Sequence, residues 1–238
     1  MSWIGIDTAT DRASVAASGP NGVYSVALQG ARRHARALPG LIGEALRAAG
    51  VAPRDISGVV VANGPGSFTG LRVGAAVAKA LVHARHLPLW TTPSLLARAY
   101  GAAPRDGRLV VVVTDALRGD VYAAAYRIRA GAVETVLAPA VLRPGQVRER
   151  CGTPDLVVSG AAPEAAAFVH GGAVPVVDGE AAMPDAGALL ALRALAGGAT
   201  QVTDVAAWEP MYGRPAEAQA RWEETHGRPL PHQAGSAG

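Results

Sequence analysis

Residues 63–74 read Asn-Gly-Pro-Gly-Ser-Phe-Thr-Gly-Leu-Arg-Val-Gly, and their types could do chemistry with backbone alone. The run follows an apolar stretch, Gly-Val-Val-Val-Ala at 58–62, and precedes a small-residue segment at 69–85. A strand, a glycine-rich turn and a helix start aim several N–H groups and a helix dipole the same way, which suits an anion. Gly64, Gly66 and Gly70 also permit close approach by another chain or a ligand. Ser67 and Thr69 both have the chemistry of an N-cap. Two readings stand at this point, phosphate contact and a plain turn around Pro65. The spacing is neither Gly-x-Gly-x-x-Gly nor a P-loop, since no Gly-Lys-Ser/Thr follows.

The remaining reactive side chains are few. Asp7 and Asp11 flank Thr8 at the end of the first apolar run, where carboxylates suit Mg²⁺ or an Asx turn. His83 and His86 are three apart on one predicted helix. Two neutral ligands with no nearby carboxylate or thiolate make a poor metal site, so no metal site is expected. Cys151 is the single cysteine and has no His partner in the sequence, which reads as a buried small hydrophobe. No Gly-x-Ser-x-Gly nucleophile elbow occurs.

The elements that must position these residues follow from periodicity. Strands are expected over 3–9, 12–18, 23–28, 59–62 and 87–91, with helices over 35–49, 69–85 and 93–100. The order then restarts, with strands over 109–113, 121–128, 132–137, 156–159 and 174–177 and helices over 144–150, 162–169 and 184–196. Both halves run β-β-β-α-β-α, so two similar lobes facing one another are predicted. The boundary falls in the polar run at 102–107, giving lobes 1–103 and 104–205 and a tail from 206 to 238 that includes a helix over 217–225 and a frayed, Pro- and Gly-rich end.

Composition bounds the function. The chain has 238 residues, half of them hydrophobic and 17% charged, so a large core is available and wholesale disorder is excluded. Net charge is +3, and Lys79 is the only lysine, so the positive charge is arginine. That bias fits codon usage better than RNA contact, because the dense patch, Arg32-Arg33-His34-Ala35-Arg36, has no interleaved aromatics. One cysteine allows no intramolecular disulfide, and no apolar run approaches the ~20 residues that span a bilayer. The cytoplasm is the expected compartment, with no membrane partner.

The motifs together resemble one family. Gly64 to Gly74 is similar to the signature G-P-G-S-F-T-G-L-R-I-G of the TsaB family, differing only at Val73. Ile6 to Thr10 resembles its opening I-D-T-S-T. Arg33-His34 and Leu38-Pro39 resemble R-H-S-x-x-L-L-P, from which Arg36 and Ala37 depart. Asp115 to Tyr122 resembles D-A-R-R-G-E-V-Y, and Pro210 to Arg214 resembles P-x-Y-x-R. These cover residues 3–215 in order.

The resemblance implies an α/β, ribonuclease H-like chain of the actin/Hsp70-like (ASKHA) ATPase fold. It implies a non-catalytic scaffold for TsaD in transfer of a threonylcarbamoyl group to the tRNA adenosine next to the anticodon. The metal-binding His-x-x-x-His of TsaD has no counterpart in Thr-Thr-Pro-Ser-Leu-Leu-Ala at 91–97. No cofactor of its own is expected, and ATP or ADP with Mg would be shared at the TsaD seam. That seam would hold Asp7, Thr8, Asp11, Gly64, Pro65, Gly66, Ser67, Phe68, Thr69, Gly70 and Arg72. Bulky residues at Gly66 or Gly70 are expected to weaken partner binding while the lobe stays folded.

TsaE would join at the seam, a homodimer would form when TsaD is absent, and tRNA would be met only within the complex. The interface helices would present His34, Leu38, Leu41, Ile42 and Ala45 from the first helix and Gly74, Ala75 and Ala78 from the second. Amphipathic pattern alone leaves a second reading open, that both helices cover their own sheet. The alternative function is a small-molecule kinase of this fold or a glycoprotease-like hydrolase, which would need an intact nucleotide site or a metal pair.

Overall fold

Trp3, Ile4 and Ile6 bury their side chains on both faces of the first strand, so the sheet that strand joins must be covered on both faces, and pairing on both sides puts the strand inside it. The computed structural model places it there and describes residues 1–30, 33–160, 162, 166, 169, 174–213 and 225. Strand β1 (Ser2–Asp7) runs antiparallel to β2 (Arg12–Gly19), which pairs antiparallel with β3 (Gly22–Gln29). On its other side β1 is parallel to β4 (Ile56–Ala62), and β4 to β5 (Leu89–Thr92). The parallel pairs need crossovers. Helix α1 (His34–Ala49) returns the chain to β4, and α2 (Phe68–Arg85) returns it to β5.

The second half repeats this plan. Strand β6 (Leu109–Asp115) is antiparallel to β7 (Val121–Ile128), and β7 to β8 (Val133–Leu142). On its other side β6 is parallel to β9 (Leu156–Gly160), and β9 to the two-residue β10 (Val176–Val177). Helix α4 (Pro144–Cys151) makes the crossover to β9, after α3 (Ser94–Ala102) has linked the halves. Strand order and sense therefore repeat, as expected of the duplicated actin/Hsp70-like fold.

Two elements cross that symmetry. Helix α5 (Ala186–Leu192) packs on β1 and β2, and β11 (Thr200–Val202) pairs antiparallel with β5, so the first sheet reads β11-β5-β4-β1-β2-β3. Residues 186–202 thus complete the first sheet, although the sequence boundary groups them with the second lobe. The reason is hydrogen bonding to the first sheet: Ser14 Oγ accepts from Ala186 N at 3.0 Å and Thr92 Oγ1 donates to the Gly198 carbonyl at 3.1 Å, both buried. The expected helix over 184–196 is shorter because Asp185 caps it, accepting from Gly187 N at 2.6 Å. The expected helix over 162–169 lies mostly outside the described residues, of which Ala166 and Val169 are helical. The expected helix over 217–225 also lies outside them, Thr225 apart.

Three apolar cores result. Leu38, Ile42, Ala45, Leu46 and Ala49 of α1 and Ala78 and Val82 of α2 cover one face of the first sheet. Leu109, Val111, Val113 and Val147 build a core on the outer face of the second sheet, and Cys151 belongs to it. Burial pushes the Cys151 thiol up, as suits a small hydrophobe. Between the two sheets, Val60 and Ala62 join Val110, Val112, Ala124 and Val158 through Leu95, Leu96 and Ala99 of α3 and Leu189, Leu190 and Leu192 of α5.

Candidate functional site

The glycine-rich turn leaves β4 and is tied down at every step. Asn63 N donates to the Thr92 carbonyl at 2.8 Å, and Gly64 N to Ser94 Oγ at 2.9 Å. Ser67 N reaches the Ala9 carbonyl at 2.7 Å. Of the two candidate N-caps, Ser67 serves, its hydroxyl accepting from Gly70 N at 3.2 Å. Thr8 Oγ1 donates to the Gly70 carbonyl at 2.8 Å. A Cβ at Gly66 would strike the Ala9 carbonyl oxygen, one at Gly70 the Thr8 carbonyl oxygen, and one at Gly74 the Thr8 hydroxyl. The close approach that these glycines permit is therefore made by the chain itself. That corrects the expectation that bulky residues at Gly66 or Gly70 would leave the lobe intact. The N–H groups of Gly64, Ser67, Gly70 and Leu71 are likewise spent inside the chain.

A segment distant in sequence crosses this turn. Met211 N donates to the Asn63 carbonyl at 2.8 Å, and Gly64 leaves room for the Met211 carbonyl. Tyr212 packs against Phe68 with ring centroids 4.5 Å apart and planes tilted by 42°, and the Arg72 guanidinium lies 5.5 Å from the Phe68 centroid. Tyr122 of β7 donates its hydroxyl to the Tyr212 carbonyl at 3.3 Å, so the strap touches both sheets. Lys79 Nζ donates to the Ala206 carbonyl at 3.1 Å and lies 5.7 Å from the Trp208 ring. The Pro-Met-Tyr-Gly motif was the only sequence signal of this contact, and nothing in it names Phe68 as the partner.

Asp7 and Asp11 are not brought into one environment. Asp7 is fully buried: Oδ1 accepts from Ala9 N at 2.9 Å, and Oδ2 has no hydrogen-bond partner among the described residues. Burial pushes its carboxyl from 3.8 up to about 6; the Ala9 N–H and the Arg98 guanidinium oppose this, and Asp185 adds to it. Asp11 is exposed, and its backbone carbonyl accepts from Gly30 N and faces His34 Nε2 at 3.1 Å. Among the described residues no group of three or more His, Cys, Asp or Glu could hold a metal ion. His83 and His86 are exposed beside a shallow groove of about 400 Å³, lined also by Lys79, Val82, Leu87, Val205 and Ala206.

The Asp7 shift makes a pH prediction. A carboxyl that binds its proton more tightly folded than unfolded contributes stability below about pH 4 and loses it as pH rises through about 6. A shift of about two units corresponds to ~3 kcal/mol. Urea unfolding of Asp7→Asn and the parent chain at pH 4 and pH 7 should show the variant gaining by roughly that amount, relative to the parent, at the higher pH. A difference independent of pH would count against the shift.

The expected interface stripe is corrected. His34, Leu38, Ile42 and Ala45 are 1%, 0%, 9% and 0% exposed and pack on their own sheet; Leu41 is half-buried. Gly74, Ala75 and Ala78 are buried too. Arg36, Gly40, Glu44 and Arg47 of α1 face outward, with Thr69, Arg72, Ala76 and Ala80 of α2. At 3.6 residues per turn, Thr69, Ala76 and Ala80 form one row along α2, with half-buried Val73 and Val77 beside it.

Comparison with known proteins decides the family. The model described as "TsaD: tRNA N6-adenosine threonylcarbamoyltransferase" matches residues 22–173, more than half of the chain. The tRNA threonylcarbamoyladenosine biosynthesis protein TsaB of Escherichia coli K12 is 34% identical over 152 residues, 63% of this chain and 66% of that protein. The chain belongs to the TsaB family. TsaB of Bacillus subtilis 168 is 38% identical over 102 residues, 43% of this chain and 44% of that protein. The chain thus spans two thirds or less of the length of these relatives. A Pseudomonas aeruginosa crystal structure, described as an uncharacterized protein with similarity to peptidase YeaZ, superposes with a TM-score of 0.73. It is 27% identical, and the match covers 90% of this chain and 99% of that one. No helix among the described residues is long and apolar enough to cross a membrane.

Proposed function

We propose that this chain is a non-catalytic subunit of N6-threonylcarbamoyladenosine synthesis on tRNA, which binds TsaD and supports its transfer of the threonylcarbamoyl group in the cytoplasm. The observation that carries the reading is the outer row of α2. Ala76 and Ala80 are exposed small side chains beside Val73 and Val77, on a helix that already touches α1. A row without bulk along α2, beside α1, lets a second helix pair approach closely, as in a four-helix bundle. TsaB relatives named for threonylcarbamoyladenosine biosynthesis supply the reaction, and the TsaD model match supplies a homologous partner.

Arg72 and Thr69, outward at the start of α2, and the half-buried Phe68 against Tyr212 stand at the rim of that contact, where TsaE or a shared ATP or ADP with Mg would meet the chain. A homodimer through the same row forms when TsaD is absent, and tRNA is engaged only by the assembled complex. The non-catalytic assignment is supported by Asp7 lying in the core and Cys151 in the outer core of the second sheet.

Size-exclusion chromatography with light scattering, on the chain alone and with TsaD of the same organism, tests the reading. A one-to-one heterodimer is the expected result. Failure to associate, together with ATP binding by the chain alone, would replace it with the kinase-like reading.

A further inference from the structure

The fold implies a magnesium–nucleotide site between the two lobes, near the end of β1. The residues there do not fit one. The layer between the sheets is a continuous apolar core through α3 and α5, and Asp7 is sealed inside the protein. Arg98 of α3, itself only 5% exposed, is the buried cation whose charge acts on Asp7. Its Nε donates to the Ala182 carbonyl at 2.8 Å, just before α5. Its terminal nitrogens lie against Gly160, the last residue of β9, where a Cβ would collide with both of them. Burial disfavours the charge on Arg98, while Asp7 favours it, and the guanidinium likewise favours the ionised carboxylate of Asp7. Asp185, the other acid acting on Asp7, is engaged by Ser25 Oγ and Gly187 N.

We propose that Arg98 stands where the fold would hold metal and phosphate: a cation supplied by the chain, which offsets the charge of Asp7 on β1 and staples the approach to α5 to β9. A guanidinium suits this task because it is planar, permanently charged and carries donors in several directions. Gly160 is glycine because the plane of Arg98 rests on it. The consequence is a pair of lobes fixed at one angle and closed to nucleotide within the chain. Any nucleotide this protein meets would lie outside the cleft. The inference rests on the fold and not on the partner reading, and it holds whether or not TsaD binds.

The test is a double-variant cycle at pH 7.5 on the full chain, read as melting temperature, with calorimetric titration of Mg-ATP. Arg98→Leu is expected to lower the melting temperature by about 10 °C, since it leaves a buried carboxylate uncompensated. Adding Asp7→Asn is expected to restore at least half of that loss. If Arg98→Leu does not fold, Arg98→Lys and its pair with Asp7→Asn give the same comparison at smaller amplitude. Gly160→Ala should lower the melting temperature in the parent and cost much less beside Arg98→Ala. Independent, additive losses would overturn the staple. Mg-ATP binding by the parent that Asp7→Asn abolishes would overturn the closed cleft, and it would do so without bearing on TsaD association.

Discussion

Gly70→Ala is expected to lower the melting temperature of the isolated chain by about 6–12 °C. The added Cβ meets the backbone oxygen of Thr8, which cannot rotate away as a side chain could. Either the start of α2 or the end of β1 must move. Movement of either breaks the Thr8 hydroxyl bond to the Gly70 carbonyl and the Ser67 N–H bond to Ala9. Overpacking of this kind together with a lost buried hydrogen bond costs about 3 kcal/mol, and each kcal/mol shifts a chain of this length by roughly 2–4 °C. Gly101→Ala is the control. It sits in α3 with nothing within 4 Å of its added Cβ, so helix propensity alone should raise stability by about 0.5–1 kcal/mol. Thermal melts of both variants decide the matter. A Gly70→Ala chain melting with the parent would mean that the turn does not need its glycine.

Ala76→Arg together with Ala80→Arg is expected to weaken association with TsaD by about 100-fold or more, which is ~2.7 kcal/mol, while leaving the melting temperature within about 2 °C of the parent. Both alanines are exposed, so the fold has no reason to notice. A close helix–helix contact does notice, because two long cations must be accommodated beside Arg72 and Lys79, and like charges brought together oppose binding. Leu38→Ala should behave in the opposite sense. It empties a fully buried site under α1 and should cost about 2–5 kcal/mol of stability whatever the partner does. Calorimetric titration of TsaD into each folded variant separates the two cases. Undiminished affinity of the double arginine variant would remove α2 from the interface.

The contrast between these residues shows where sequence reading ran out. Alternating and helical periodicities gave most of the described strands and helices of both halves, though not β11, because burial imposes a period of two or 3.6 on whichever residues face a core. Periodicity identifies a face but not its occupant. The stripe at Leu38, Ile42 and Ala45 is equally consistent with a partner or with the protein's own sheet, and only the placement of β2 and β3 beneath it settles the matter. The glycines of the turn were legible as points of close approach, yet the approaching atoms belong to Thr8, Ala9 and Met211, which are far away in sequence. Asp7 was legible as the acid at a strand end, whereas its burial depends on α3 and α5. Arg98 carried one unused signal: it is the one charged residue of α3, set among Leu95, Leu96, Ala97 and Ala99, and an arginine on so apolar a helix must find its counter-charge inside.

Closure of the first sheet by β11 has a consequence for how the chain is made. During synthesis the ribosome emits β1 to β5 long before residues 186–202. The nascent first lobe therefore waits with β5 as a bare edge and with the Ser14 hydroxyl and the neighbouring face of β1 and β2 uncovered. Such an edge is a template for mispairing, and here it is only four residues long and includes Trp90 and two threonines. The amino-terminal half is thus finished by a segment that emerges only after the strands of the second sheet, and a nascent chain arrested at residue 103 would expose what residues 186–202 keep covered.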